Sequence, residues 1–183
     1  GTLRNLNRDR RNHIWGFVAR NLVRPVWLSQ ESQKADVVIG NPPWLSYRFM
    51  DQDMQTRFRE ECQARGLWMG QVAQQQDLSA YFFVRCVELY LRPTGKIAFV
   101  MPYAAMTRRQ YAGFRTGIYG IRKRKAPRIL ASIRFIHAWA FSDDVSPLFP
   151  VPSCALFAQN EEANPEAGNG RLPLVILAAS GTL

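Results

Sequence analysis

Asp36-Val37-Val38-Ile39-Gly40-Asn41-Pro42-Pro43-Trp44 joins a strand to its own stop signal. Val37 to Gly40 is short and wholly apolar, the pattern of a strand buried on both faces of a parallel sheet. Asn41-Pro42-Pro43 then halts it: two successive prolines fix φ and remove two backbone donors, so no ladder continues through them. The product is a rigid turn at the carboxyl end of a buried strand, where open α/β sheets place their ligands. One amide side chain, proline carbonyls and one large aromatic plane meet there. Such groups suit a flat ring bearing an amine, with Asn41 and a proline carbonyl accepting from the amine and Trp44 stacking on the ring.

Downstream, Tyr47, Phe49 and Met50 lead into a charged helix spanning roughly Gln52 to Ala64. Gly66 and Gly70 bracket a flexible stretch ending in Gln74-Gln75-Gln76, either a lid or DNA-facing loop or a solvated connection. Asp77 is placed to N-cap the next helix, in which Leu78, Phe82, Cys86 and Leu89 recur at spacings of four, four and three. Pro93-Thr94-Gly95 ends that helix, and Lys96 to Pro102 is a second buried strand. Strand, helix and strand in this order form the βαβ unit of a parallel sheet, so the expected fold class is α/β. Upstream, Ile14, Phe17, Val18 and Leu22, with Trp15 nearby, lie at helical spacing opposite Arg10, Arg11, Arg20 and Arg24, and Pro25 is the stop. His13 sits at the start of that helix as a packing or capping residue, and Ser29 to Lys34 is a polar loop.

Composition narrows the partners. The 183 residues are 47% hydrophobic, enough for one sizeable core, and carry a net charge of +10. That charge points to an anionic partner, nucleic acid before a membrane surface. No apolar run reaches the ~18 residues that span a bilayer, and no signal peptide follows the early arginines. Cys62, Cys86 and Cys154 are scattered, as thiols of a reducing cytoplasm are, with neither disulfide nor zinc spacing. From Leu89 to Ser142 there is no acidic residue, whereas Arg108, Arg109, Arg115, Arg122, Lys123, Arg124, Lys125, Arg128 and Arg134 fall within it. A charge run is commonly a solvated face, but an uncompensated one of this length suits a phosphate backbone.

Towards the carboxyl end, Ile133 to Ile136 and Cys154 to Ala158 are strand candidates. Glu161 to Gly170 is a polar linker, and Leu172 to Ala178 starts a further strand. The chain lacks an initial methionine and ends in Ala-Ser-Gly-Thr-Leu, so a piece of a longer protein is expected.

Asn-Pro-Pro-aromatic after an apolar strand resembles the catalytic motif of adenine-N6 DNA methyltransferases. The surrounding sequence most resembles the large single-chain enzymes of type IIG restriction–modification and related phage-defence systems. Asp77 to Phe83 and Pro93 to Pro102 stand close to the pattern usual there. The resemblance implies a partial Rossmann-like S-adenosylmethionine-dependent methyltransferase fold, the C-terminal half of a mostly parallel sheet. Residues 1–35 would be a leading helix and loop, 36–160 the catalytic half, and 161–183 a linker and the start of a truncated region. Asn41, Pro42, Pro43 and Trp44 would be catalytic, and Phe149 would be a second aromatic wall of the adenine pocket, a position that the residues alone assign to core.

Asn41 and Asp77 would approach S-adenosylmethionine, and Arg108, Arg109, Arg122, Lys123, Arg124 and Lys125 would follow the DNA backbone. The family's glycine-rich cofactor loop does not precede Asp36, so the isolated chain is expected to be inactive. No tuned general base is needed, and His13 and His137 have no role. The implied partner is double-stranded DNA in a prokaryotic cytoplasm, without membrane or metal, and with a nuclease or target-recognition region attached in the parent. Two rival readings are a protein-glutamine N5 methyltransferase, which poses the same planar-amide problem, and a basic nucleic-acid-binding module without catalysis.

Overall fold

A computed structural model describes residues 13–121, 128–141, 149, 151–161 and 177–179, with side chains omitted at 13–15 and 177–179. The elements are helices α1 (His13–Leu28), α2 (Gln52–Ala64), α3 (Leu78–Tyr90) and α4 (Ala104–Thr107). The strands are β1 (Ala35–Gly40), β2 (Leu91–Pro102), β3 (Ile118–Ile121), β4 (Arg128–Phe141), β5 (Ser153–Glu161) and β6 (Leu177–Ala179). They form one sheet of order β1-β2-β5-β4-β3, with β6 pairing the far end of β4.

The expected βαβ unit is present, since β1 and β2 run parallel with Gly40 opposite Phe99. The rest of the sheet departs from the expectation. β2 with β5, β5 with β4 and β4 with β3 are antiparallel, so the described sheet is mostly antiparallel rather than mostly parallel. Short returns through the β3–β4 and β4–β5 connections produce two of those pairings, because a parallel neighbour would require a long crossover. The three-residue β6 is parallel to β4.

One face of the sheet holds the core. Phe83 of α3 meets the rings of Phe99, Phe114 and Phe135 at centroid distances of 5.3, 5.2 and 6.4 Å. Ile97, Met101, Leu156 and Ala158 lie buried on the strands beneath. Alternation along β2, where Ile97, Phe99 and Met101 are buried and Ala98 and Val100 only half-buried, follows from covering a single face.

The same geometry corrects the reading of β1 as a strand buried on both sides. Val37 is 56% exposed and Ile39 78% exposed, and among the described residues β1 is the edge of the sheet. Its apolar run contains the information for two covered faces, whereas only Val38 packs against the core.

The helices follow the sequence in position more closely than in facing. α2 occupies the expected span and is N-capped by Asp51, which accepts from Met54 N at 2.8 Å. α3 is capped by Asp77 as expected, but it buries Ser79, Ala80, Phe83, Val84 and Val87. The expected stripe is displaced: Phe82 is exposed, and Leu78, Cys86 and Leu89 are half-buried. A helix apolar around most of its circumference does not identify its own inner face. Pro25 does not stop α1, which runs on to Leu28 with Ser29 N bonded to Pro25 O at 3.1 Å. The loss of one donor is tolerated there, where Phe17, Leu22, Val23, Val26 and Trp27 are exposed rather than packed.

β2 begins at Leu91, directly after α3, and takes in Pro93-Thr94-Gly95, with Thr94 at φ 63°. A buried ion-pair node, in which Arg65 grips Glu88 through two bonds of 2.6 and 2.9 Å and Glu61 at 2.6 Å, joins the end of α2 to α3.

Candidate active site

The Asn41-Pro42-Pro43-Trp44 turn leaves the sheet where β1 ends. Gly40 permits the close approach, since a Cβ there would lie 3.1 Å from the Phe99 ring. Pro42 is buried, Pro43 and Asn41 are exposed, and Trp44 is half-buried. The Asn41 amide has no hydrogen-bond partner among the described residues, so its acceptor and donors are free to meet a ligand. Trp44 Nε1 is enclosed without any partner there either, a cost of roughly 1–3 kcal/mol for a buried donor.

The segment after the turn is fastened to a second loop. Tyr47 N bonds Gln76 O at 2.8 Å, Leu78 N bonds Leu45 O at 3.1 Å, and Ser46 pairs with Asp77 in an isolated antiparallel bridge. Gln76 is buried, and its amide donates to the carbonyls of Leu67 at 2.6 Å and Gln110 at 2.7 Å, although its Oε1 lacks a donor. In the Gln74-Gln75-Gln76 run the first two side chains are exposed and the last is an interior strut, so the run is not wholly a solvated connection.

Asp77 accepts from Ser79 N at 2.8 Å, from the Ser79 hydroxyl, and from the Tyr111 hydroxyl at 2.5 Å. Burial pushes its carboxyl up from the usual carboxylate range, and the bonds from Ser79 and Tyr111 oppose that shift. Burial, then the Asp77 charge, in turn raises the Tyr111 phenol well above its ordinary value. Both Asp77 oxygens are thus engaged within the protein. Sequence reasoning assigned the capping role of Asp77 but missed Tyr111, which lies 34 residues away and carries no local signal.

Phe149, on the connection between β4 and β5, meets the turn from a distant part of the sequence. Its ring stacks on Trp44 with centroids 5.8 Å apart and planes at 26°, and on Phe141 at 5.9 Å and 18°. Two residues more than a hundred positions apart therefore share one aromatic column at the sheet's carboxyl end. A model of the Eco57I restriction-modification methylase family matches residues 4–128.

The chain belongs to that family. No curated protein matches it. Membership makes this a methyltransferase of the restriction–modification class, which acts on DNA. The matched residues contain β1, the Asn41–Trp44 turn, α3 and β2, so the turn lies within the methylase region, while Phe149 lies beyond it.

For a DNA-methylating family the basic residues matter next. Arg108 and Arg109 are exposed at the same end of the sheet, after α4, and neither guanidinium pairs with a carboxylate among the described residues. Arg122, Lys123, Arg124 and Lys125 lie outside the described residues. His137 is exposed on β4 with its ring edge-on to Phe157 at 6.4 Å, away from the turn. Burial raises the thiols of Cys86 to about 11 and Cys154 to about 12, and pushes Cys62 higher still, so none is a ready nucleophile. Among the described residues no cluster of His, Cys, Asp and Glu is placed to hold a metal, and no helix is long and apolar enough to cross a membrane.

Proposed function

We propose that this protein is the acceptor-binding part of an adenine-N6 DNA methyltransferase that takes its methyl group from S-adenosylmethionine, within a restriction–modification or phage-defence system. The observation that carries the reading is the Asn41–Trp44 turn, with a free amide beside an aromatic column. The adenine amine is a weak nucleophile because its lone pair is delocalised into the ring. Hydrogen bonds from its two protons to the Asn41 side-chain oxygen and the Pro42 carbonyl would favour a more tetrahedral nitrogen, with the lone pair aimed out of the ring plane. This is catalysis by orientation and by preorganised acceptors, and it requires no titrating base.

The base must leave the DNA stack to reach these groups, at a cost of a few kcal/mol. Stacking on Trp44 offsets roughly 1–3 kcal/mol of that. A base held between two rings needs them about 7 Å apart, twice the ~3.5 Å contact of carbon atoms. Trp44 and Phe149 stand at 5.8 Å, so the slot is closed by self-stacking and opens by about the difference when a base enters.

The residues described do not by themselves fit the methyl donor. No glycine-rich turn precedes β1, and the Asp77 carboxylate is occupied by Ser79 and Tyr111. No step of the donor chemistry is assigned to these residues.

The test is transfer of labelled methyl from S-adenosylmethionine into adenine-containing duplex DNA, using a polypeptide that joins this chain to a donor-binding region. Label should appear at adenine N6 and fall about 10²–10³-fold in Asn41→Ala, the loss typical of one preorganised partner of the reacting group. Label on protein glutamine with none on DNA would overturn the reading, as would undiminished transfer by Asn41→Ala.

A further inference from the structure

A cleft opens where β2 ends and β5 begins, with a volume of about 630 Å³. Pro102, Tyr103, Ala104, Thr107 and Arg108 form one side, and Val151 and Pro152 the other. Its floor is fixed by the last rungs of the β2–β5 ladder, Met101 opposite Cys154 and Pro102 opposite Ser153, and by Tyr103 N bonded to Pro152 O at 2.9 Å. Arg115 reaches across to donate to the carbonyls of Ala105 at 3.1 Å and Arg108 at 2.8 Å, which holds α4 and presents Arg108 at the rim.

The place of this cleft relative to the turn follows from register and chain length. β1 and β2 run parallel with Gly40 opposite Phe99, so the end of β1 and Pro102 lie towards the same end of the sheet. Val151 is two residues from Phe149, a span of at most ~7 Å along extended chain. The cleft therefore adjoins the Trp44–Phe149 slot.

We propose that the cleft binds the nucleotide next to the target adenine on the same strand, with its phosphodiester on Arg108 and its sugar and base edge against Tyr103, Val151 and Pro152. Charge selects this ligand class. Among the described residues that line it, the one formal charge is the Arg108 guanidinium and none is a carboxylate. The sequence from Leu89 to Ser142 has no acidic residue, and Asp143 and Asp144, which follow, lie outside the described residues. An anionic group beside flat apolar walls is what a nucleotide offers, and Thr107 adds a hydroxyl donor. The inference rests on the adenine-methylation reading, because that reading puts the target base in the adjoining slot.

Binding to single-stranded oligodeoxynucleotides tests it without a flipping cost. One strand carries a single adenine within thymines, one has an abasic site in its place, and two more carry an uncharged methylphosphonate linkage immediately 5′ or 3′ of the adenine. Fluorescence anisotropy should show that one of the two neutral linkages weakens the wild-type chain about tenfold, the loss of one charge-assisted contact. Arg108→Gln should bind about tenfold more weakly and be insensitive to that linkage, whereas Arg109→Gln, outside the cleft, should keep the penalty. Arg108 is exposed, so its substitution leaves the core intact. Persistence of the linkage penalty in Arg108→Gln, or its absence from the wild type, would overturn the assignment. If adenine is still preferred over the abasic site and Trp44→Ala removes that preference, the cleft assignment alone fails. If there is no preference, the adenine reading fails with it.

Discussion

Two loops meet at the carboxyl end of β1 and treat their polar groups in opposite ways. Around Gln76 and Asp77, side chains reach into the interior and bond to Leu67, Gln110, Ser79 and Tyr111. In the Asn41–Trp44 turn, the exposed Asn41 amide and the enclosed indole N–H have no hydrogen-bond partner among the described residues. Both loops follow or precede regular elements, and two backbone hydrogen bonds, which together make the Ser46–Asp77 bridge, tie them together. Apart from Gln76 Oε1, the first loop bonds these side chains internally; the second leaves the Asn41 amide exposed. A rigid support beside an unsatisfied turn is the arrangement that orientation catalysis needs, because the support bears the cost of holding groups that have nothing to hold on to.

Substitutions can break that contrast in a graded way. Asn41→Ala should remove about 10²–10³-fold of methyl transfer while leaving thermal unfolding unchanged, since the side chain has no structural bond to lose. An equal loss of stability, seen by calorimetry, would place Asn41 with the supporting loop instead. Tyr111→Phe should act in the reverse sense: it leaves Asp77 short of a donor, costs about 1–3 kcal/mol, and lowers the melting temperature by roughly 2–4 °C for each kcal/mol.

The acid limb of stability sharpens the point. Burial holds the Asp77 carboxyl above its ordinary 3.8 in the folded chain. Between that value and the raised one, the folded state binds more protons than the unfolded state. The Asp77 contribution is therefore fully present below 3.8 and is lost as pH rises through the folded value. Asp77→Asn, which keeps an acceptor for Ser79 N, should flatten this limb in unfolding measured across the acid range. An unchanged slope would mean that Asp77 is not the buried acid. The smallest effect is expected at Ile39→Thr on the exposed side of β1, within about 0.5 kcal/mol by denaturant unfolding. A larger loss would show that this edge is covered in solution.

Much of the site was legible locally. Asn41, the prolines and Trp44 announce a turn after a strand because proline's covalent geometry needs no tertiary context. The Asp77 cap and the α2 boundaries are equally local, since a cap bonds within three residues of itself. The partners of these groups were not legible. Tyr111 looks like any aromatic in a basic stretch, and the inner stripe of α3 had apolar competitors on almost every side. The sheet's direction was misjudged because a parallel β1–β2 pair was extended to strands whose sequences record no direction.

By itself, then, the sequence determined the bounds of α2 and the cap of α3, the chemistry of the Asn41–Trp44 turn, and the uncompensated positive charge from Leu89 to Ser142. These follow from φ restriction, capping and charge counting, all of which act over a few residues or simply add. Only the tertiary structure decided that β1 is an exposed edge, that the sheet is mostly antiparallel, that Asp77 bonds Tyr111, and that Phe149 stacks on Trp44. Those outcomes depend on which distant surfaces exclude water from each other, and a buried side chain carries no mark in the sequence of the partner it will meet.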